Sequence, residues 1–220
     1  MRKTGKNEKR GGFLAAVIDY FKELNEPLRF TEKDGCLTIC GYRDRLAPSC
    51  EIPSEILGVP VRRIGSRAFL QCPFIYDVWV RDGVEIIGAN AFSSCDRLSK
   101  IHMASVKTIE RNAFFECPCL FCADLSPCLH DIGDRAFYGC TGLRDVTLPD
   151  SVTSIGRQAF FGCKNLTRIR LPFGLKYIDR SAFENCTSLS CIFVERGSPA
   201  AEVLGQSELY SSILRYVSRL

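Results

Sequence analysis

The chain repeats itself. From residue 64 onward the run Ile-Gly-x-x-Ala-Phe-x-x-Cys recurs, anchored at Ile64, Ile87, Ile109, Ile132, Ile155 and Ile178, with spacings of 23, 22, 23, 23 and 23 residues. Ala68, Ala91, Ala113, Ala136, Ala159 and Ala182 are each followed by phenylalanine, and Cys72, Cys95, Cys117, Cys140, Cys163 and Cys186 form a third column in the same register. A period of this length marks an architecture of stacked units, none of which can bury its apolar side alone. Neighbouring units must cover one another, each buried Leu, Ile or Phe contributing about 1.5–3 kcal/mol.

The pattern inside one unit separates its parts. Ile132, Ala136 and Cys140 are four apart, the spacing of one face of a short helical turn, with Phe137 beside them. Val146 and Leu148 then alternate with Asp145 and Thr147, the period of a strand with one buried face. Pro149 and Pro172 close their strands, because proline has no N–H for a further ladder bond. The expectation is an α/β solenoid, with short parallel strands on one face and short helical turns on the other.

The pattern I-G-x-x-A-F-x-x-C-x-x-L-x-x-I-x-L-P-x-x-V-x-x-I resembles the BspA-type leucine-rich repeats of bacteria and some parasitic protists, and so does the lead-in CEIPSEILGVPVRRIGSRAF. The resemblance runs from about Gly35 to Glu195. It implies a right-handed leucine-rich-repeat superhelix and a role in adhesion or partner recognition, often at cell surfaces. Two departures stand out: MASV replaces LPxxV in the second unit, and Glu110 and Asp179 replace the glycine after isoleucine.

The flanks are expected to cap the stack at both ends, since terminal repeats otherwise expose core. Residues 1–27 hold a basic tail followed by an amphipathic helix with Phe13, Val17, Tyr20, Phe21 and Leu24 on one side. Residues 28–46 form a β-hairpin cap about Asp34-Gly35, residues 47–196 the repeats, and residues 197–220 a helical cap beginning at Gly197-Ser198-Pro199.

Charge and apolar patterning narrow the function. The chain has 29 basic and 25 acidic residues; the first ten carry five basic residues and one acidic, which leaves 24 of each in the body. A neutral body has no nucleic-acid footprint. The longest apolar run, Phe13 to Ile18, has six residues against about 20 for a membrane span, and about 7–15 for the core of a signal peptide. The expected location is therefore the cytoplasm, with no membrane contact. The 13 cysteines fit that compartment as reduced thiols, because a column of parallel side chains does not converge to disulfide distance. The monomer is the expected state. No P-loop, dinucleotide fingerprint or metalloprotease helix is present, and no cofactor is expected.

Candidate functional residues lie on the strand face. The repeat register places Trp79, His102, Asp124, Thr147, Arg170 and Phe193 in an outward central column, flanked by Asp77, Lys100, Cys122, Asp145, Arg168 and Cys191. With Tyr76 and Phe121 nearby, the column is rich in Trp, Tyr and Arg, the types enriched in binding hot spots. A protein partner engaging Tyr76, Trp79, His102, Phe121, Asp124, Thr147, Arg168, Arg170 and Phe193 is the principal expectation. Two alternatives are a structural subunit of a larger assembly and a cysteine-dependent acyl-transfer enzyme using Cys122, His102 and Asp124. The enzyme reading needs a concave site with free oxyanion donors, which a shallow strand ladder does not offer. Cys117, Cys119, Cys122, Cys128 and His130 suggest zinc, but the register points Cys117 inward and Cys122 outward, so no metal is expected.

Overall fold

A computed structural model describes residues 28–42 and 48–217; the expected basic tail and amphipathic helix lie outside them. The described chain opens with β1 (Leu28–Lys33) and β2 (Cys36–Tyr42), an antiparallel hairpin turning at Asp34 and Gly35. Then come β3 (Ser49–Ile52), β4 (Glu55–Ile56) and β5 (Val59–Ile64). Each following coil contributes one strand to each of two faces. On the first face lie β6 (Asp77–Val80), β8 (Lys100–Met103), β10 (Cys122–Asp124), β12 (Asp145–Thr147), β14 (Arg168–Arg170) and β16 (Cys191–Glu195). On the second lie the two-residue strands β7 (Ile86–Ile87), β9 (Thr108–Ile109), β11 (Asp131–Ile132), β13 (Ser154–Ile155) and β15 (Tyr177–Ile178). The coils pair in parallel, one residue column on the next.

The second-face sheet runs unbroken from the hairpin through β5 to β15. The first face is split. β3, β6, β8 and β10 form one four-stranded sheet; β12, β14, β16 and β17 (Leu214–Val217) form another. The expected continuous ladder is thus interrupted between the third and fourth coils. The break falls beside Ala123, which stands at the inward position held by Val78, Ile101, Val146, Ile169 and Ile192 in the other coils.

The segments joining the two faces are turns, where the four-residue spacing suggests helix. In the second coil Ala91, Ser93 and Cys95 donate to the carbonyls three residues back, while Asn90, Phe92 and Ser94 donate to Arg111, Ala113 and Phe115 of the next coil. Asn90 and Ser94 have φ of 57° and 56°. A helix directs every N–H along its own axis. Left-handed residues four apart turn alternate peptides toward the neighbouring coil, and keep Ile87, Ala91 and Cys95 pointing inward. The helical spacing in the sequence is the repeat of two successive tight turns.

The core is built of columns. Phe69, Phe92, Phe114, Phe137, Phe160 and Phe183 stack with ring centroids 4.8–5.6 Å apart. Cys95, Cys117, Cys140, Cys163 and Cys186 each donate S–H to the phenylalanine carbonyl of the preceding coil at 3.0–3.2 Å. A small polar donor is what this inward position needs. The glycine after each isoleucine has a different cause: a Cβ at Gly88 would lie 2.7 Å from the Ile64 carbonyl oxygen. Where Glu110 replaces it, the carboxylate accepts from Ala89 N–H at 2.8 Å and from Arg63 at 2.7 Å, tying neighbouring coils together.

The C-terminal end mixes helix and strand, where the sequence suggests helix alone. α1 (Pro199–Gly205) starts at Ser198, whose hydroxyl accepts from Ala201 N–H, and buries Ala200, Ala201 and Leu204. After α2 (Glu208–Ser211), β17 extends the first face by pairing with β16.

Two measurements test the columns. Phe137→Ala removes a ring stacked on both sides and is expected to cost about 3–5 kcal/mol in chemical denaturation. Burial pushes the Cys140 thiol up to about 12 and the Cys95 and Cys117 thiols also upward, and a hydrogen bond with Cys186, followed by burial, raises the Cys163 thiol. A membrane-impermeant thiol reagent should therefore leave Cys95, Cys140 and Cys163 unmodified in the folded protein and reach them in denaturant, as read by peptide mass spectrometry. Rapid labelling of these three without denaturant contradicts the register.

Candidate protein-binding face

Strand alternation decides what the first face presents. Val78 and Val80 point inward, so Trp79 points out and stands 42% exposed. Parallel pairing without slippage places Glu51, Trp79, His102 and Asp124 side by side on the first half-sheet. Thr147, Arg170, Phe193 and Arg215 form the corresponding column on the second. Glu51 and Arg215 extend the column beyond the six positions read from the repeat. Their strands flank the Ile-Gly units, and only the pairing of β3 with β6 and of β17 with β16 brings them into line.

The first half-sheet carries a connected network. The Trp79 and His102 rings stack with centroids 3.9 Å apart and planes 17° off parallel. His102 Nδ1 lies 2.5 Å from Asp124 Oδ2, and Nε2 lies 3.4 Å from Asp77 Oδ1. Arg81 places its guanidinium 5.7 Å from the Trp79 ring centroid and donates to both carboxylate oxygens of Glu51, at 2.8 and 3.1 Å. That hydrogen-bonded pairing holds the Glu51 carboxyl below its usual range. Trp79 is thus exposed at its rim and held through its faces, a preorganised aromatic of the kind that carries binding energy.

The other candidates divide between the two half-sheets. Tyr76 and Phe121 are about half exposed, and Lys100 lies over the Phe121 ring. Thr147, Arg168 and Arg170 are exposed, Phe193 is half-buried, Arg168 pairs with Asp145 at 3.5 Å, and Arg170 lies over Phe173. The split between β10 and β12 separates the Trp79 network from this basic and aromatic half.

The nominal Cys-His-Asp set does not form a nucleophile pair. Cys122 donates S–H to Asp124 Oδ1 at 3.3 Å, on the same carboxylate whose other oxygen engages His102. Burial and the hydrogen bond to Asp124 both raise the Cys122 thiol above its ordinary value, opposite to activation. The backbone N–H of Cys122 donates to Ser99 O. Among the described residues no group of three or more His, Cys, Asp or Glu side chains could hold a metal ion, and no helix is long and apolar enough to cross a membrane.

The stacked coils, parallel half-sheets and phenylalanine column define a leucine-rich-repeat solenoid. The model of the BspA type leucine rich repeat region matches six copies over residues 48–121 and 107–217, and the chain belongs to this family. A leucine rich repeat protein of T. pallidum is 30% identical, with 76% of this chain and 78% of that one covered and a TM-score of 0.72. One from Bacteroides ovatus is 30% identical over 79% of this chain and 47% of its own length, TM-score 0.69. A leucine rich cell surface protein of Faecalibacterium prausnitzii is 30% identical over 76% and 52%, TM-score 0.56. This chain therefore spans about half the length of the last two. No curated protein matches it.

Alkylation rates test the reading of Cys122. A raised thiol holds less thiolate at neutral pH, so Cys122 should react with iodoacetamide more slowly than the exposed Cys119 and Cys128. Asp124→Asn removes the carboxylate charge that, after burial, helps raise it, and should speed Cys122 specifically.

Proposed function

We propose that this protein is a non-enzymatic interaction scaffold that binds a protein partner through the strand face, with Trp79 as principal anchor. The observation that carries this is the exposed, face-locked Trp79 on a rigid strand, flanked by Tyr76 and Arg81. Leucine-rich-repeat solenoids offer extended faces suited to such contacts, and the nine residues from Tyr76 to Phe193 named from the repeat register are the proposed contact set. The balanced charge of the body favours a protein over nucleic acid or a membrane surface, and a monomeric state leaves both half-sheets free. All 13 cysteines are unpaired, which favours a reducing compartment such as the cytoplasm; the Faecalibacterium relative is described as a cell surface protein. The hydrogen bond of Cys122 to Asp124 rather than His102 weighs against the acyl-transfer alternative.

The test is a pair of unfolding curves and a pair of binding isotherms. Trp79→Ala should cost about 1 kcal/mol of stability, the scale of a partly exposed aromatic contact. Binding to a partner isolated from the native host should weaken by about 2 kcal/mol or more. Thr108→Ala, on the second face, should change neither. Unchanged affinity in the Trp79 variant would move the binding surface elsewhere.

A further inference from the structure

His102 has more carboxylates than a neutral imidazole can serve. On β6, Asp77 Oδ1 lies 3.4 Å from Nε2, and this oxygen is buried with no hydrogen-bond partner among the described residues. On β10, Asp124 Oδ2 lies 2.5 Å from Nδ1. A neutral imidazole has one N–H and one bare lone pair; the imidazolium has two N–H donors. With one proton, His102 can bond one carboxylate and must turn a lone pair toward the other. With two, it bridges β6, β8 and β10. The imidazolium also gains a cation–π attraction to Trp79, whose ring it already stacks against at 3.9 Å.

The remaining charged and titratable groups facing this site set the field. Lys100 neighbours both Asp77 and Cys122 in the strand register, and lies over Phe121. Cys122 is a thiol bonded to Asp124. Arg81, just after β6, is engaged by Glu51 of β3. Within this set only an imidazole changes charge between pH 5 and 8 without a large shift.

We propose that His102 is a proton-operated clamp on the Trp79 patch. On the acid side the imidazolium closes the Asp77–His102–Asp124 bridge and holds the indole rigidly for a partner. On the alkaline side one leg opens, the buried Asp77 oxygen faces a lone pair, and the stack loosens. Partner affinity at the strand face becomes pH-dependent through a residue that itself need not touch the partner. The consequence for binding rests on the strand-face reading; the clamp itself does not, because it operates in the free protein.

Trp79 is the only tryptophan and His102 one of two histidines, so intrinsic fluorescence of the full chain reports the clamp directly. An imidazolium stacked on indole quenches it by accepting an excited-state electron. Tryptophan emission should rise in one single-proton step as pH is raised from 5 to 8, the window in which imidazoles change charge. His102→Gln should abolish the step, and His130→Gln should retain it. Asp77→Asn removes one carboxylate that favours the cation, and should move the midpoint to lower pH while the fold, followed by circular dichroism, is kept. A flat wild-type titration, a step surviving in His102→Gln, or an unmoved midpoint in Asp77→Asn overturns the clamp. Any of these outcomes leaves the role of Trp79 in partner binding standing, since that is read from the isotherms.

Discussion

The structure depends on a backbone constraint: alternate peptide groups of each coil must find partners in the next. In a helix the chain satisfies its own N–H groups, and a solenoid coil cannot. Phe92, Phe114, Phe137 and Phe160 donate to Ala113, Ala136, Ala159 and Ala182 at 2.8 Å, coil after coil. This fixes the distance between coils near the strand spacing of about 4.8 Å. The phenylalanine rings have little choice but to stack, because they leave the backbone in the same direction at the same interval. Volume, register and hydrogen bonding all point to one arrangement, the condition under which a sequence specifies a single fold.

The same constraint sets what each repeat position tolerates. Arg67, Asn90, Asn112, Arg135 and Gln158 all adopt left-handed φ of 54–60°, although none is glycine. The conformation costs roughly 1–2 kcal/mol per residue, and each such residue also donates its N–H to the following coil, Gln158 to the Ser181 hydroxyl and the others to backbone carbonyls. The outward rotation that strains the residue is what makes that bond, worth about 1 kcal/mol net. The strain and the bond are one feature. The glycine position obeys a different rule, close backbone approach at negative φ, and there a polar side chain is admitted where it can itself reach the adjoining coil, as Glu110 does.

Much of this was legible in the sequence, because a repeat supplies its own alignment. The inward columns, the parallel register and the placement of Trp79, His102 and Asp124 in one row all follow from counting 22 or 23 residues. The turns were not legible as turns. Ile132, Ala136 and Cys140 satisfy helical spacing, and nothing at Arg135 marks a left-handed backbone; only Gly139 and Gly162, one turn later, suggest it. The break after β10 had a signal in Ala123, a small residue in a column of Val and Ile. A break in the ladder is not something the period itself reveals. Glu51 joined the site through pairing of a strand outside the Ile-Gly units, and Arg81 through a side chain reaching across strands.

The outward face is free of the constraint that governs the inside, and that freedom bears on function. Core positions repeat because every coil meets the same neighbours. The outward positions alternate with them yet share no chemistry from coil to coil: Glu51, Trp79, His102 and Asp124 follow one another on one half-sheet, and Thr147, Arg170, Phe193 and Arg215 on the other. Within each half-sheet, parallel strands without slippage bring each of these side chains within reach of the next. A stacked indole and imidazole, or a carboxylate bonded to a histidine, therefore needs no loop or cavity to assemble it. The scaffold turns adjacency in the repeat into adjacency in space. A Trp-His-Asp row at its surface is then set in register by the same backbone ladder that holds the core.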